Sequence, residues 1–278
     1  MKRLLLYFTF SILHFTFASA FASTTVPVTV VEGNHMPLVD AVLDGRRATL
    51  ILDTGASHTT FDLGFVTNAF PGVKLIEPVM VGESNAFAKP RFLAAKTLSI
   101  GGRDIAVEGV MALDLSHLDA SVGRNVDGIL GMDVLRPQRF ILSLARSELV
   151  FVDEPSEVPP GFVRVPSRLD SSGCYNLLAT LPDGTKRAML LDSGSTYTFL
   201  AGTNSWPLAE SASSLAASDV NGRAPLAFHP GLPGLLTLGP TNFPVAPLLL
   251  ARPPLDQLGS DFLLKTDLLH VPSHIFLR

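Results

Sequence analysis

The chain has 278 residues, enough for one large domain or two of ordinary size. With 47% hydrophobic and 17% charged residues it can build cores and is not wholly disordered, and a net charge of −4 leaves no basic surplus for nucleic acid. Its 22 glycines and 21 prolines suit a loop-rich β protein better than a helical bundle.

Residues 1–22 read as a secretory signal. Lys2 and Arg3 form a basic start, and Leu4 to Phe17 form an apolar stretch that is short for a membrane span. Ala18-Ser19-Ala20 and Ala20-Phe21-Ala22 each offer a small-x-small cleavage site. A retained N-terminal anchor is the other reading of this segment. Export permits disulfides, yet Cys174 is the only cysteine, and no Asn-x-Ser/Thr sequon occurs. Together these features fit a bacterial periplasmic or secreted protein, with no stable membrane association once the signal is removed. Cys174 itself reads as a small buried hydrophobe on a strand.

Alternating Val26, Val28 and Val30 predict the first strand. Met36 to Leu43 and Arg46 to Leu52 follow as two strands joined by Asp44-Gly45, a dipeptide suited to the positive φ values of a tight hairpin. The second strand runs into Asp53-Thr54-Gly55-Ala56-Ser57. A carboxylate directly after a buried strand is costly unless it is hydrogen-bonded or used. The glycine beside it lets another segment approach closely.

Thr59-Thr60-Phe61 lead away as a short strand or turn, and residues 68–90 are loop-like, with Val79 to Ala86 as a hairpin tip. Leu98-Ser99-Ile100-Gly101-Gly102 and Ile105 to Met111 form the next hairpin. Gly128-Ile129-Leu130-Gly131 sets two apolar residues between glycines, ahead of a short helix at Met132-Asp133-Val134-Leu135. Phe140 to Leu144 and Glu148 to Val152 close the unit, and the proline-rich, acidic residues 154–161 read as a linker.

The pattern then returns. Cys174 to Leu181, Asp183-Gly184 and Thr185 to Leu191 match the first hairpin and lead into Asp192-Ser193-Gly194-Ser195. Leu236-Thr237-Leu238-Gly239 matches Leu98-Ser99-Ile100-Gly101, and Leu258-Gly259-Ser260-Asp261 matches Leu130-Gly131-Met132-Asp133. His270 to Leu277 resembles the closing hairpin, and the second copy lacks a segment around Ser116 to Asn125. Residues 112–127 and 201–230 are the least readable. Two long copies make a duplicated β unit rather than a solenoid. The expected division is one lobe at 23–153, the linker at 154–161 and a second lobe at 162–278.

Two copies of a strand-acid-glycine turn invite a pseudo-twofold arrangement that brings Asp53 and Asp192 together. Two carboxylates about 3 Å apart cannot both ionise and share one proton. One then serves as general base and the other as general acid on either side of a single water. The cleft between the lobes suits an extended peptide bonded through its main chain.

Each acid alone could be a structural turn residue, since Asp bonds its own backbone at turns; the matched pair argues against that. Asp133 and Asp261 read as acids at helix N-termini. His58 reads as structural or solvent-facing, and His117, His229, His270 and His274 show no metal-ligand spacing. Neither a Gly-x-Ser-x-Gly elbow nor a nucleotide-binding glycine motif is present. No metal and no organic cofactor are expected.

The segments Asp53-Thr54-Gly55-Ala56-Ser57, Asp192-Ser193-Gly194-Ser195-Thr196 and Ile129-Leu130-Gly131 resemble the aspartic peptidases. Each unit resembles the retropepsin-like domains, and two units in one chain resemble the layout of pepsin. The resemblance covers nearly all of residues 26 to 278. It implies an all-β acid-protease fold of two tandem, pseudo-twofold-related retropepsin-like β-barrel lobes. It also implies a monomeric aspartic endopeptidase acting on polypeptides, with Asp53 and Asp192 catalytic. Thr54 and Ser193 would hydrogen-bond across the lobe interface, and Gly55 and Gly194 would present backbone N–H groups to the carboxylates. Val79 to Ala86 would form a flap, with Gly82, Glu83 and Ser84 against substrate.

Two departures from the family stand out. Gln257 precedes Leu258-Gly259 where the family has an apolar residue, and no tyrosine lies between residues 54 and 128. They motivate a second reading, a catalytically inactive binding or inhibitor protein of the same fold. Ser195 can donate a hydroxyl hydrogen bond to Asp192, and Ala56 cannot do the same for Asp53. That asymmetry predicts that Asp192 carries the charge, that Asp53 holds the shared proton, and that activity is less acidic than pepsin's.

Overall fold

Asp44 and Gly45 both adopt positive φ, 43° and 85°, and the strands Pro37–Leu43 and Arg46–Leu52 pair antiparallel around them. In the second copy Gly184 takes a positive φ of 86° but Asp183 does not, and a longer turn joins Tyr175–Thr180 to Lys186–Leu191. The computed structural model describes residues 23–76, 90–95, 97–153, 157–202, 206–209, 213–219, 222–250 and 256–278. The expected signal at 1–22, part of the linker and the flap residues Gly82, Glu83 and Ser84 lie outside them.

Among the described residues the strands fall into two sheets, of 14 and 10 strands. The expected all-β chain is β-rich rather than purely β, because four short helices interrupt it: Leu63–Ala69, Ser116–Val122, Met132–Leu135 and Ser260–Leu263. The first forms because Asp62, in extended conformation, accepts from the Phe65 N–H and Val66 is buried below. The second ends on Gly123 in the left-handed region at φ 80°. Both are two turns long, too short for a 3.6-residue period to stand out in the sequence.

The sites of interest rest on two matched arrays of strands. In the larger sheet, Arg46–Leu52 pairs parallel with Gly128–Leu130, which pairs antiparallel with Thr60–Asp62, which pairs parallel with Val110–Leu113. In the smaller sheet, Lys186–Leu191, Gln257–Leu258, Phe199–Ala201 and Leu248–Leu250 follow the same order and the same senses. The duplication read from the motifs is therefore also a duplication of strand topology.

The larger sheet is not confined to the first copy. Leu268–Val271 pairs with Phe140–Ser143, and beyond it lie His274–Leu277 and Val163–Val165. The strands Leu268–Val271 and His274–Leu277 are thus stitched into the sheet that contains the first described strand, Ser23–Val30. A further hairpin, Ser213–Asp219 with Gly222–Pro230, occupies part of the segment that looked unreadable.

Arg46–Leu52 is buried on both faces, which is why its end reads as an unbroken apolar run. Leu50 and Leu52 point into the main core with Phe61, Phe140 and Phe151. Ile51 points the other way, into a second cluster with Leu38, Leu115, Leu118 and Ile129, on the side of the helix Ser116–Val122.

Candidate active site

Each acid sits where a core strand stops and bonds the neighbouring strand once more. The Asp53 N–H donates to the Leu130 carbonyl at 3.0 Å, and the Asp192 N–H donates to the Leu258 carbonyl at 2.9 Å. The turns that follow are fastened to the glycine-containing loops. Met132 N–H donates to the Ala56 carbonyl at 2.8 Å, and Ser260 N–H to the Ser195 carbonyl at 2.7 Å. Gly131 and Gly259 allow this approach: a Cβ there would lie 2.6 Å from the His58 backbone and 2.5 Å from the Tyr197 backbone. Asp133 and Asp261 complete the fastening. Asp133 accepts from the Thr59 N–H and hydroxyl at 2.8 and 2.7 Å, and Asp261 accepts from the Thr198 hydroxyl at 2.8 Å.

The two turns meet through Thr54 and Ser193, both buried. Thr54 Oγ1 donates to the Leu191 carbonyl at 2.7 Å and accepts from the Ser193 N–H at 3.0 Å. Ser193 Oγ donates to the Leu52 carbonyl at 2.7 Å and accepts from the Thr54 N–H at 3.0 Å. Every polar group of the two side chains is satisfied, as a buried network requires.

This grip brings Asp53 and Asp192 close enough for each carboxyl to shift the other's ionisation. A Cβ on Gly55 would stand 2.5 Å from the Asp192 Cγ, and one on Gly194 would crowd the Asp53 Cγ still closer. Each glycine therefore faces the opposite acid, and no side chain fits there. Gly55 and Ala56 donate backbone N–H bonds to Asp53 Oδ1 at 2.8 and 3.0 Å.

Burial raises the pKa of both carboxyls above the ordinary value. Asp192 is raised well above it, because the Asp53 charge and the hydrogen bond with Asp53 add to burial. Asp53 is held lower by the Gly55 N–H and by the hydrogen bond from Asp192. The two carboxyls are coupled and titrate as a pair whose ionisation burial opposes. The Ser195 Oγ donates to the Tyr197 carbonyl at 3.0 Å and accepts from Gln257 Nε2 at 2.5 Å, so the expected hydroxyl bond to Asp192 is not made.

Two further residues belong to this neighbourhood. Cys174 is buried, and its Sγ donates to the Gly55 carbonyl at 3.3 Å, so it touches the first turn from the second half of the chain. Burial raises its thiol pKa, and the two carboxyls raise it further. No sequence signal marked that contact. His58 is exposed and its Nδ1 lies 2.8 Å from Ser57 Oγ. Among the described residues no three His, Cys, Asp or Glu side chains gather as a metal site.

A family model described as aspartyl protease matches residues 39–134, a span that holds Asp53, Thr54, Gly55 and Ile129-Leu130-Gly131. The match supports an aspartyl-protease-type fold and hydrolytic function of that general type. Asp192 lies beyond the matched residues. No curated protein matches the chain.

Proposed function

We propose that the protein is an exported, two-lobed aspartic endopeptidase that hydrolyses peptide bonds with a water activated between Asp53 and Asp192. The reading rests on one observation, the two acid-bearing turns joined face to face through Thr54 and Ser193, each glycine against the opposite acid. The matched strand arrays and the family match at 39–134 support it. Export to the periplasm or medium is proposed from residues 1–22.

In this mechanism the Asp53 carboxylate takes a proton from water as the water oxygen bonds to the peptide carbonyl carbon. Asp192 gives its proton to the carbonyl oxygen, so the tetrahedral intermediate forms without a free oxyanion. Collapse breaks the C–N bond. The nitrogen leaves with the proton held by Asp53, and a gem-diol hydroxyl returns a proton to Asp192, restoring the starting state. Water is positioned and both proton transfers are local, which removes much of the entropic part of the barrier. An extended peptide would lie across the pair.

The test is hydrolysis of a mixed peptide library by the protein lacking residues 1–22, scanned from acid to neutral pH. Asp53→Asn and Asp192→Asn run beside it. Cleavage lost in both variants supports the shared pair; a folded protein that cuts nothing at any pH overturns it in favour of an inactive binding protein of the same fold.

A further inference from the structure

Ser195 and Gln257 stand where Ala56 and Ile129 stand in the first copy. Ser195 follows Asp192 as Ala56 follows Asp53, and Gln257 pairs with Leu190 as Ile129 pairs with Ile51. In the first copy both positions are apolar and belong to one cluster with Leu38 and Leu115. In the second copy both are polar and bond each other at 2.5 Å. The second copy thus sets a half-buried amide against a half-buried hydroxyl where the first copy packs two apolar groups.

We propose that Gln257 is a positioning residue that turns the Ser195 hydroxyl away from Asp192, leaving both acids without a hydroxyl donor so that the pair keeps its shared proton to higher pH. This rests on the reading of Asp53 and Asp192 as a working pair. A serine hydroxyl has one hydrogen, and here it goes to the Tyr197 carbonyl. The Ser195 oxygen can then only accept from Gln257, which fixes the amide with its nitrogen toward Ser195. The Ser195 backbone N–H donates to the Asp192 backbone carbonyl at 3.2 Å, so the two residues are neighbours. Rotation about the Ser195 Cα–Cβ bond turns the hydroxyl toward the Asp192 carboxyl once Gln257 stops holding it.

The consequence follows from which form the hydroxyl would favour. A donated O–H stabilises a carboxylate and has less to offer a carboxylic acid. Withholding it leaves the second proton of the pair harder to remove. Among the described residues, the ionisable groups around Asp192 are Asp53, the Cys174 thiol and the exposed Tyr197. Asp261 is bound to Thr198, and Asp256, next to Gln257, is paired with Arg187. Of these only Asp53 bonds Asp192.

The experiment is a pH titration of the aspartate carboxyl 13C signals, with the pH profile of peptide hydrolysis measured in parallel. It compares wild type, Gln257→Met, Ser195→Ala and the double variant; Gln257→Ile, which copies the first half, stands in if the Met variant does not fold. The expected result is a fall of about one pH unit in the upper midpoint of the pair in Gln257→Met. Adding Ser195→Ala should return it to the wild-type position, and Ser195→Ala alone should leave it there. An unshifted midpoint in folded Gln257→Met overturns the proposal, as does a fall that persists in the double variant. The carboxyl titration needs no turnover. A shifted titration in a protein that hydrolyses nothing would therefore sink the peptidase reading alone, and hydrolysis with an unshifted titration would sink this proposal alone.

Discussion

Thr54 and Ser193 each close the strand that delivers the other's acid: the Thr54 hydroxyl bonds the Leu191 carbonyl and the Ser193 hydroxyl bonds the Leu52 carbonyl, both at 2.7 Å. The two acids are therefore held by a reciprocal device, and neither turn can move without breaking a buried bond in the other.

Thr54→Val keeps the shape of the side chain and removes its hydroxyl, leaving the Leu191 carbonyl and the Ser193 N–H without partners. A loss of about 2–4 kcal/mol is expected. Urea unfolding followed by the fluorescence of Trp206, the only tryptophan and a buried one, measures it. Thr54→Val with Ser193→Ala should cost less than the sum of the two, because they break the same network.

Gly194→Ala places a methyl group against the Asp53 carboxyl. The carboxyl must rotate away, and peptide hydrolysis should fall by about a hundredfold or more. Unchanged kcat/KM in this variant would mean that the reacting geometry does not depend on Asp53.

Asp192 is an acid whose folded pKa lies well above its unfolded value. Above the unfolded pKa the folded state therefore binds more protons than the unfolded state, and this pair makes stability fall as pH rises toward the folded value. Asp192→Asn removes that slope. The variant should be more stable than wild type at pH 7, with the difference vanishing below the ordinary carboxyl pKa, as read by denaturation at several pH values.

His270 has the opposite sign. It stacks on Phe140 at 4.8 Å and meets the edge of Tyr175, its Nδ1 bonds the Gln138 carbonyl, and its buried Nε2 has no partner. Burial lowers its pKa to about 4, against the hydrogen bond to Gln138 and helped by Arg136 nearby. A base depressed in the folded state contributes stability that is complete above the unfolded pKa, near 6.5, and lost as pH falls to about 4. The total is about 3 kcal/mol. His270→Phe should flatten this part of the pH–stability curve. Phe140 and His270 are directly paired between their strands, so acid should first loosen the join between the two parts of the chain.

Much of the fold was legible because its signals are local. Asp44-Gly45 announces a hairpin through two positive φ values that few other dipeptides adopt, Asp183-Gly184 through the positive φ of its glycine, and Val26, Val28 and Val30 announce a strand by alternation. The sequence leaves the helix Ser116–Val122 and the hairpin at Ser213–Asp219 without a signal, the first because two turns carry too little periodicity and the second because Ser213-Ser214-Leu215-Ala216-Ala217-Ser218 lacks the alternation that marks a strand. The pairing of Leu268–Val271 with Phe140–Ser143 joins strands far apart in the chain, and no local pattern encodes such a partner.

The sequence by itself determined which atoms are available at the site: two acids, two glycines, and the hydroxyls of Thr54, Ser193 and Ser195, each at a fixed place after a core strand. It could do so because covalent order sets the spacing between strand end and turn. Only the tertiary structure decided where those hydroxyls point. Thr54 and Ser193 turn to each other's strands, while Ser195, offered Tyr197 and Gln257, turns from the acid beside it. A hydroxyl has a single hydrogen to donate, and the choice among nearby acceptors is made by segments that meet only when the chain is folded.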